Sequence, residues 1–191
     1  LVKESIRNLT RKADFPVGFP QIAPDDLGLL LFTSASDGSP KGVMLTHANL
    51  VSNVSALLDL RNPPIVSAED TVLAVLPLFH VYGLNTVLTM AIAAGASVVI
   101  LDRFDAVDSL NVISREHVTT VAGAPAMYLM WSRVPFVATA MRPIRLLSSG
   151  GAPLPVEVFN RFEELTGMRI FEGYGMTETS PVIASTVVDS R

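Results

Sequence analysis

The stretch Arg145–Gly175, RLLSSGGAPLPVEVFNRFEELTGMRIFEGYG, carries the pattern that decides the fold. A short apolar run at Arg145–Ser149 predicts a strand, and a second strand is predicted at Met168–Glu172. Between them, Pro155–Thr166 has apolar residues at helical spacing, and Pro155 suits the first turn of a helix. Two strands joined by one helix predict a βαβ unit, in which the strands run parallel.

The same alternation of short apolar runs and helical segments extends upstream as far as Leu27. The further candidate strands are Leu27–Thr33, Thr71–Leu76, Ser97–Leu101 and Val118–Ala122. The further candidate helices are Thr46–Leu60, Gly83–Ala94, Ala106–Glu116 and Ala124–Trp131, with Thr46 as an N-cap. We therefore predict an α/β fold, with a mostly parallel sheet of βα units and helices on both faces.

The composition bounds the class of protein. A chain of 191 residues can bury one substantial core. Apolar residues make up 49% and charged residues 17% of it, below the roughly 25% charged residues of soluble domains. Polar residues interrupt the most apolar segment, Gly83–Leu101, so a membrane span is disfavoured. We interpret the chain as a piece of a larger protein, cytoplasmic or peripheral at a membrane, whose other parts cover apolar surface.

Several classes of function are disfavoured. A net charge of −4 argues against a nucleic-acid partner, which needs clustered Lys and Arg. The chain has no Cys, which excludes disulfides and thiolate metal sites, and its three His are too widely separated for a zinc site. It has no G-x-S-x-G, so a serine hydrolase is disfavoured, and it lacks the segments of a kinase. The oligomeric state is left open.

One polar loop, TSASDGSPKG at residues 33–42, directly follows the first predicted strand. Its hydroxyl side chains, its glycines and Lys41 offer O–H donors, backbone N–H groups and a cation, which suit a polyphosphate. It is not a Walker A loop, because GxxxxGK[ST] is unmatched. By itself it is more typical of a solvated Ser/Gly turn.

Three further segments follow this loop: LPLFHVYGL at 76–84, SSGGAPL at 148–154 and EGYGMTE at 172–178. In this order the four segments resemble the acyl-CoA synthetases of the adenylate-forming superfamily, which also contains luciferases and the adenylation domains of peptide synthetases. The resemblance extends from about Leu27 to Pro181. Four motifs in one order are a specific signal, whereas any one alone is weak.

The resemblance implies that residues 33–42 form a loop that holds the β- and γ-phosphates of ATP. Lys41 would supply charge, and the implied loop contacts are Thr33, Ser34, Ala35, Ser36, Asp37, Gly38 and Lys41. The family usually has Gly where Ala35 stands, and commonly Thr or Ser where Asp37 stands. Ala disfavours positive φ, and Asp is repelled by phosphate. Ala35→Gly is expected to tighten ATP binding if Ala35 is a handicap, and unchanged affinity would show that it is tolerated.

The resemblance also implies roles for the other segments. In EGYGMTE, the Tyr174 ring would flank adenine, Thr177 would meet the α-phosphate and Glu178 would bind Mg²⁺, a cation that prefers oxygen ligands. His80 and Tyr82 would line the carboxylate and acyl pocket. The remaining implied nucleotide contacts are Gly150, Gly151, Ala152, Glu172, Gly173 and Gly175.

The implied reaction joins a carboxylic acid to ATP, forms an acyl-adenylate and transfers the acyl group to CoA. Lys41, Thr177 and Glu178 are the implied catalytic residues. A fatty acid is the preferred substrate, with an acyl-AMP ligase or an aryl-acid–CoA ligase as alternatives. An alternative of another class is a nucleotide-binding module that has lost catalysis, marked by Ala35 and Asp37.

The expected domain organisation is a turn-rich lead-in at residues 1–26 and a partial AMP-binding domain at residues 27–191. The family's C-terminal domain with its catalytic lysine lies downstream of the last motif. We expect the 191-residue chain alone to complete no adenylation at a useful rate.

Overall fold

A β-hairpin precedes the main sheet in the computed structural model, which describes residues 21–34, 39–60 and 64–186. Its strands are β1, Leu27–Ser34, and β2, Pro40–Thr46, and they pair antiparallel. The sequence analysis did not predict strand β2, although its helix from Thr46 onward is confirmed. Residues 43–46 alternate between the two faces of β2, with Leu45 buried and Met44 68% exposed, and this period of two is that of a strand.

The main sheet has six strands in the spatial order β4-β3-β5-β6-β7-β8. Its strands are β3, Thr71–Ala74; β4, Ser97–Ile100; β5, Thr120–Gly123; β6, Leu146–Ser149; β7, Ile170–Gly175; and β8, Val182–Ser185. The first five of these run parallel, and β8 pairs antiparallel with β7. The mostly parallel α/β sheet predicted from the sequence is confirmed.

The helices of the described chain connect these strands, and all but the short helix at Val137–Ala140 were predicted from the sequence. They are α1, His47–Leu58; α2, Met90–Ala94; α3, Ala106–Arg115; α4, Pro125–Trp131; α5, Val137–Ala140; and α6, Val156–Thr166. Thr46 caps α1, since its side-chain oxygen accepts a hydrogen bond from the Asn49 amide at 3.2 Å. The helix predicted at Gly83–Ala94 is a π-helix over Tyr82–Thr89, continued by α2.

Two hydrophobic cores lie on opposite faces of the sheet. On β3, Val72 and Ala74 face a core built with α1, the π-helix and α2. Leu73 faces the other core, built with α3, α4, α5 and α6. This alternation confirms the helices predicted on both faces. None of the described helices is long and apolar enough to cross a membrane.

The aromatic cluster of α4 packs in the second of these cores. Tyr128 and Trp131 are fully buried, and their rings meet edge to face at a centroid distance of 5.3 Å. Tyr128 makes a similar contact with Phe162 of α6, also at 5.3 Å. The Trp131 indole donates to Ser109 Oγ of α3 at 2.9 Å, so its polar atom is satisfied. The cluster is core packing, as the sequence suggests for AMYLMW.

A buried carboxylate ties together the amino-terminal ends of β3, β5 and β6. Asp70, 3% exposed, accepts hydrogen bonds from Arg145 Nε at 2.7 Å, from Arg145 Nη2 and from Thr119 Oγ1 at 2.7 Å. Ser67 donates to it from its amide and its hydroxyl, and Arg145 also donates to the Pro64 and Ile65 carbonyls. Burial alone would raise the pKa of Asp70, but these hydrogen bonds outweigh it and hold that pKa well below its usual range.

We expect Arg145→Ala to destabilise the chain by about 3–5 kcal/mol, because it leaves the Asp70 carboxylate buried without its ionic partner. Urea unfolding followed by the fluorescence of Trp131, the one tryptophan of the sequence, measures the change. Arg115→Ala is the control, since Arg115 pairs with Glu116 on the surface. Equal stability of the two variants would contradict a role for the Asp70 cluster.

The lowered pKa of Asp70 also predicts a pH dependence. The stability that it provides is fully present above its unfolded pKa of about 3.9 and is lost as the pH falls through the lower folded value. Between pH 7 and pH 3 we therefore expect the free energy of unfolding to fall more in the wild type than in Asp70→Asn. Urea titrations at the two pH values measure this difference. An equal fall in the free energy of unfolding in the wild type and in Asp70→Asn would show that Asp70 does not contribute.

Candidate active site

A cleft of about 480 Å³ opens at the carboxyl ends of four parallel strands. Leu76 and Pro77 follow β3, Ala124 follows β5, and Gly150 follows β6, while the end of β7 forms the remaining wall. Ligands of open α/β sheets bind at this edge, because loops diverge there and leave a crevice. The residues that line the cleft are Leu76, Pro77, His80, Val81, Tyr82, Gly83, Ala124, Gly150, Gly151, Gly173, Tyr174, Gly175, Met176, Thr177, Pro181 and Val182.

Two glycines allow the cleft to form by close approach of backbone and ring. A Cβ at Gly150 would lie 3.1 Å from the Tyr82 ring, and a Cβ at Gly83 would lie 2.4 Å from the Pro77 carbonyl oxygen. A side chain at either position would push the π-helix away from the ends of β3 and β6. The glycines of the SSGGAPL and LPLFHVYGL segments therefore bring these two segments into one wall.

Two tyrosines hold Ser148 of β6 from opposite faces of the sheet. Tyr82 forms a hydrogen bond with the Ser148 side chain, and the Tyr128 hydroxyl donates to the Ser148 carbonyl at 2.6 Å. Burial raises the pKa of Tyr82, and its hydrogen bond with Ser148 opposes part of that shift. Burial also raises the pKa of Tyr128 well above its ordinary value. Both hydroxyls stay protonated at neutral pH, so Tyr82 is a fixed, uncharged wall of the cleft.

A tight turn at the end of β7 forms the opposite wall. The Met176 amide donates to the Pro181 carbonyl at 3.1 Å, and a Cβ at Gly175 would lie 2.1 Å from the same oxygen. Thr177–Thr179 form one turn of 3₁₀ helix, and β8 then returns alongside β7. Because Gly175 has no Cβ, the chain can reverse its direction close to Thr177.

Most of the predicted residues of the acyl pocket and the adenylate motif line this one cleft. They are His80, Tyr82, Gly150, Gly151, Gly173, Tyr174, Gly175 and Thr177. Three predicted residues lie beside the cleft instead. Ala152 is exposed after Gly151, Glu178 is exposed on the turn, and Glu172 Oε2 accepts a hydrogen bond from the Leu154 amide at 3.3 Å.

Of the predicted phosphate-loop residues, Thr33, Ser34 and Lys41 lie on the strands of the hairpin. Thr33 on β1 pairs with Lys41 on β2, and Lys41 is exposed. Strand β2 lies against the turn Thr177–Thr179, so the hairpin and the adenylate motif are neighbours in the fold. Ala35, Ser36, Asp37 and Gly38 lie outside the described residues, as does the side chain of Ser34.

Two asparagines that the sequence analysis did not single out hold the turn after Thr177. Asn85 Nδ2 donates to the Ser180 carbonyl at 2.7 Å and to the Leu50 carbonyl at 3.1 Å. Asn53 Nδ2 donates to the Val182 carbonyl at 2.8 Å and to the Thr179 carbonyl at 3.2 Å. One signal was available for Asn85: it is a polar side chain within the most apolar segment of the sequence.

Comparison with known sequences identifies the class of protein to which this fold and this cleft belong. The AMP-binding enzyme family matches residues 3–191, and the chain therefore belongs to that family. Over 167 residues it is 41% identical to a 4-coumarate–CoA ligase of Pinus taeda, covering 86% of this chain and 31% of that enzyme. A long-chain-fatty-acid–CoA ligase of Bacillus subtilis (strain 168) is 38% identical over 169 residues, with 85% and 29% of the two chains covered.

Solved structures confirm the predicted architecture. A malonyl-CoA ligase in a ternary product complex, with methylmalonyl-CoA and AMP bound, superposes with a TM-score of 0.78 and 34% identity, covering 87% of this chain and 36% of that one. The α/β sheet is thus that of the N-terminal domain of adenylate-forming enzymes. The chain spans about a third of the length of these relatives.

We expect Gly175→Ala to destabilise the chain by about 1–3 kcal/mol, because the added Cβ overlaps the Pro181 carbonyl and the turn must shift. Urea unfolding measures the change. Gly173→Ala is the matched control two residues earlier in β7, where the nearest atoms to a Cβ lie at an ordinary 3.8 Å. If both variants lose the same stability, the close approach at Gly175 does not constrain the turn.

Proposed function

We propose that the protein containing this chain is an acid–thiol ligase. It activates a carboxylic acid with ATP to an acyl-adenylate and passes the acyl group to CoA. One observation carries the proposal: a single cleft is lined by residues of three motifs. They are the glycine pair Gly150–Gly151, the end of β7 at Tyr174–Thr177 and the segment His80–Gly83. Adenine, the α-phosphate and an acid could therefore meet within it. The similar ligases for 4-coumarate, long-chain fatty acids and malonate support this reaction class.

Electrostatics assign the roles within this reaction. A carboxylate and an α-phosphate repel each other, so the site must neutralise their charges before the carboxylate oxygen can attack phosphorus. Lys41, on the strand that lies against the turn Thr177–Thr179, would neutralise the departing pyrophosphate. Thr177 at the edge of the cleft would donate a hydrogen bond to the α-phosphate and orient it for attack.

The residues of the turn fit a Mg²⁺ ion that is bound together with the nucleotide. Mg²⁺ is usually held by one or two carboxylates plus phosphate oxygens rather than by a cage of protein ligands. Glu178 is an exposed carboxylate next to Thr177, and no ion pair with it is formed within the described part of the chain. The described residues contain no group of three or more His, Cys, Asp or Glu able to hold a metal ion by themselves. When bound, the ion would neutralise charge on the pyrophosphate.

The lining of the cleft favours an acid with one carboxylate and an apolar body. Among the described residues that line it, none is Lys, Arg, Asp or Glu, and Leu76, Val81 and Tyr82 supply apolar surface. A second carboxylate, such as that of malonate, would find no cation there. We propose a fatty acid as the substrate, with an aryl acid as the second candidate because of the similarity to 4-coumarate ligases.

Carboxylate-dependent exchange of pyrophosphate into ATP tests the adenylation step. In the full-length protein we expect Lys41→Ala and Glu178→Ala each to lower the exchange rate by about 10²-fold or more, because each removes charge stabilisation of the transition state. Glu163→Ala, an exposed charge on α6 away from the cleft, is the control. Unchanged rates in the first two variants would contradict the assigned roles. ATP binding without any exchange would favour the noncatalytic module.

A panel of acids tests the substrate class. We expect medium and long fatty acids to support faster exchange than malonate, since the described residues that line the cleft include no Lys or Arg to pair with a second carboxylate. Coumarate and benzoate distinguish the aryl-acid alternative. A preference for malonate would overturn the proposal of a monocarboxylic substrate.

A further inference from the structure

We infer that Asn53 and Asn85 are positioning residues of the adenylation site: their amides hold the turn that places Thr177 and Glu178 at the nucleotide. The inference rests on the proposed function. It names two side chains that contact neither the acid nor ATP in that proposal. Their effect on the reaction would pass through the backbone of the turn that they hold.

The first set of hydrogen bonds to the turn comes from Asn85, within the apolar helical segment. Asn85 belongs to the π-helix and is 1% exposed, so both its N–H groups need partners inside the protein. It donates both, to the Ser180 carbonyl at 2.7 Å and to the Leu50 carbonyl at 3.1 Å. This amide bridges α1 and the turn and fixes the distance between them, because its hydrogen bond to the Ser180 carbonyl is buried and water cannot readily replace it.

The second set of hydrogen bonds to the turn comes from Asn53 of α1. Asn53 donates to the carbonyls of Thr179 and Val182, and its own Oδ1 accepts from the Val182 amide at 3.4 Å. These contacts join residues 126 and 129 positions apart in the chain. The two asparagines thus bind three carbonyls of the segment from Thr179 to Val182, those of Thr179, Ser180 and Val182.

The turn needs such external support. Ser180 has φ +71, a left-handed conformation that costs a non-glycine residue roughly 1–2 kcal/mol. Within the turn, the Met176 carbonyl accepts from the Thr179 hydroxyl at 2.9 Å and from the Thr179 amide at 3.1 Å. The Ser180 amide itself makes only a long hydrogen bond, to the Thr177 carbonyl at 3.3 Å. The asparagine amides offset the strain, and without them the backbone would relax and carry Thr177 away from its place at the cleft.

Asn85 also links the proposed acid site to the proposed nucleotide site. Asn85 lies in the same π-helix as Tyr82 and Gly83, which line the cleft, while its amide binds the turn that carries Thr177 and Glu178. The same helix therefore lines the proposed acid site through Tyr82 and Gly83 and, through Asn85, binds the turn of the proposed nucleotide site. Misplacement of about 1 Å between reacting groups is enough to slow a reaction by about 10²-fold.

The test compares Asn85→Ala and Asn53→Ala with wild type in the full-length protein, below the unfolding midpoint of every variant. We expect kcat of carboxylate-dependent pyrophosphate exchange to fall at least about 10-fold, and KM for the acid to change less than about threefold, since the acid pocket keeps its lining. Asn53→Asp replaces a donor by a carboxylate that carbonyls repel, so it should be at least as slow as Asn53→Ala.

Ser109→Ala is the matched control. It removes a buried hydrogen bond, to Trp131 on the far face of the sheet, and so lowers stability without touching the turn. If Ser109→Ala slows exchange as much as the asparagine variants do, or if these keep wild-type kcat, the positioning role is overturned. If Asn85→Ala does not fold, the two substitutions of the half-buried Asn53 decide the question.

Amide hydrogen exchange provides a readout that needs no activity. In Asn85→Ala and Asn53→Ala we expect the amides of Met176, Ser180 and Val182 to exchange at least about 10-fold faster, while those of β3 and β5 keep wild-type rates. A wild type without pyrophosphate exchange would refute the proposed function and leave this result to judge the anchoring. Unchanged amide exchange in both variants would refute the anchoring itself.

Discussion

The fold depends on one carboxylate, that of Asp70, held at the amino-terminal ends of three strands that are far apart in sequence. A charge at this depth is costly unless several donors surround it, and Arg145, Thr119 and Ser67 do so together. Because Arg145 reaches it from 75 residues away, the contact sets the relative placement of β3, β5 and β6. The cleft lies at the opposite ends of the same strands, so the loops there start from fixed positions.

At the carboxyl ends of the strands, glycines determine the shape of the cleft. At the amino-terminal ends, the buried charge of Asp70 holds the strands together. Gly83, Gly150 and Gly175 each remove a Cβ at a point where another backbone or ring passes within contact distance. At these points the cavity is lined by main chain and by the Tyr82 ring. A planar base can lie against such a surface, whereas longer side chains would fill it.

The sequence was sufficient to predict the parallel strands and the helices between them, because each carries a clear period of its own. Residues 40–46 were not recognised as a strand, since Pro40, Lys41 and Gly42 obscure the alternation that Val43 to Thr46 show. The residues of three motifs were predicted to form one site, and most of them line one cleft, with Ala152, Glu172 and Glu178 beside it. Asn53 and Asn85 escaped notice because their partners are backbone carbonyls, about which a sequence carries no information.

The hairpin of β1 and β2 differs from the rest of the fold in how it is supported. Two-stranded hairpins are marginal by themselves, and this one rests on α1 and on the turn Thr177–Thr179 while Phe32 and Met44 remain largely exposed. Its opening would cost little beside unfolding of the six-stranded sheet. We therefore expect Lys41 to lie in a part of this chain that opens separately from the six-stranded sheet, so that affinity for a polyphosphate and resistance to global unfolding can change independently of each other.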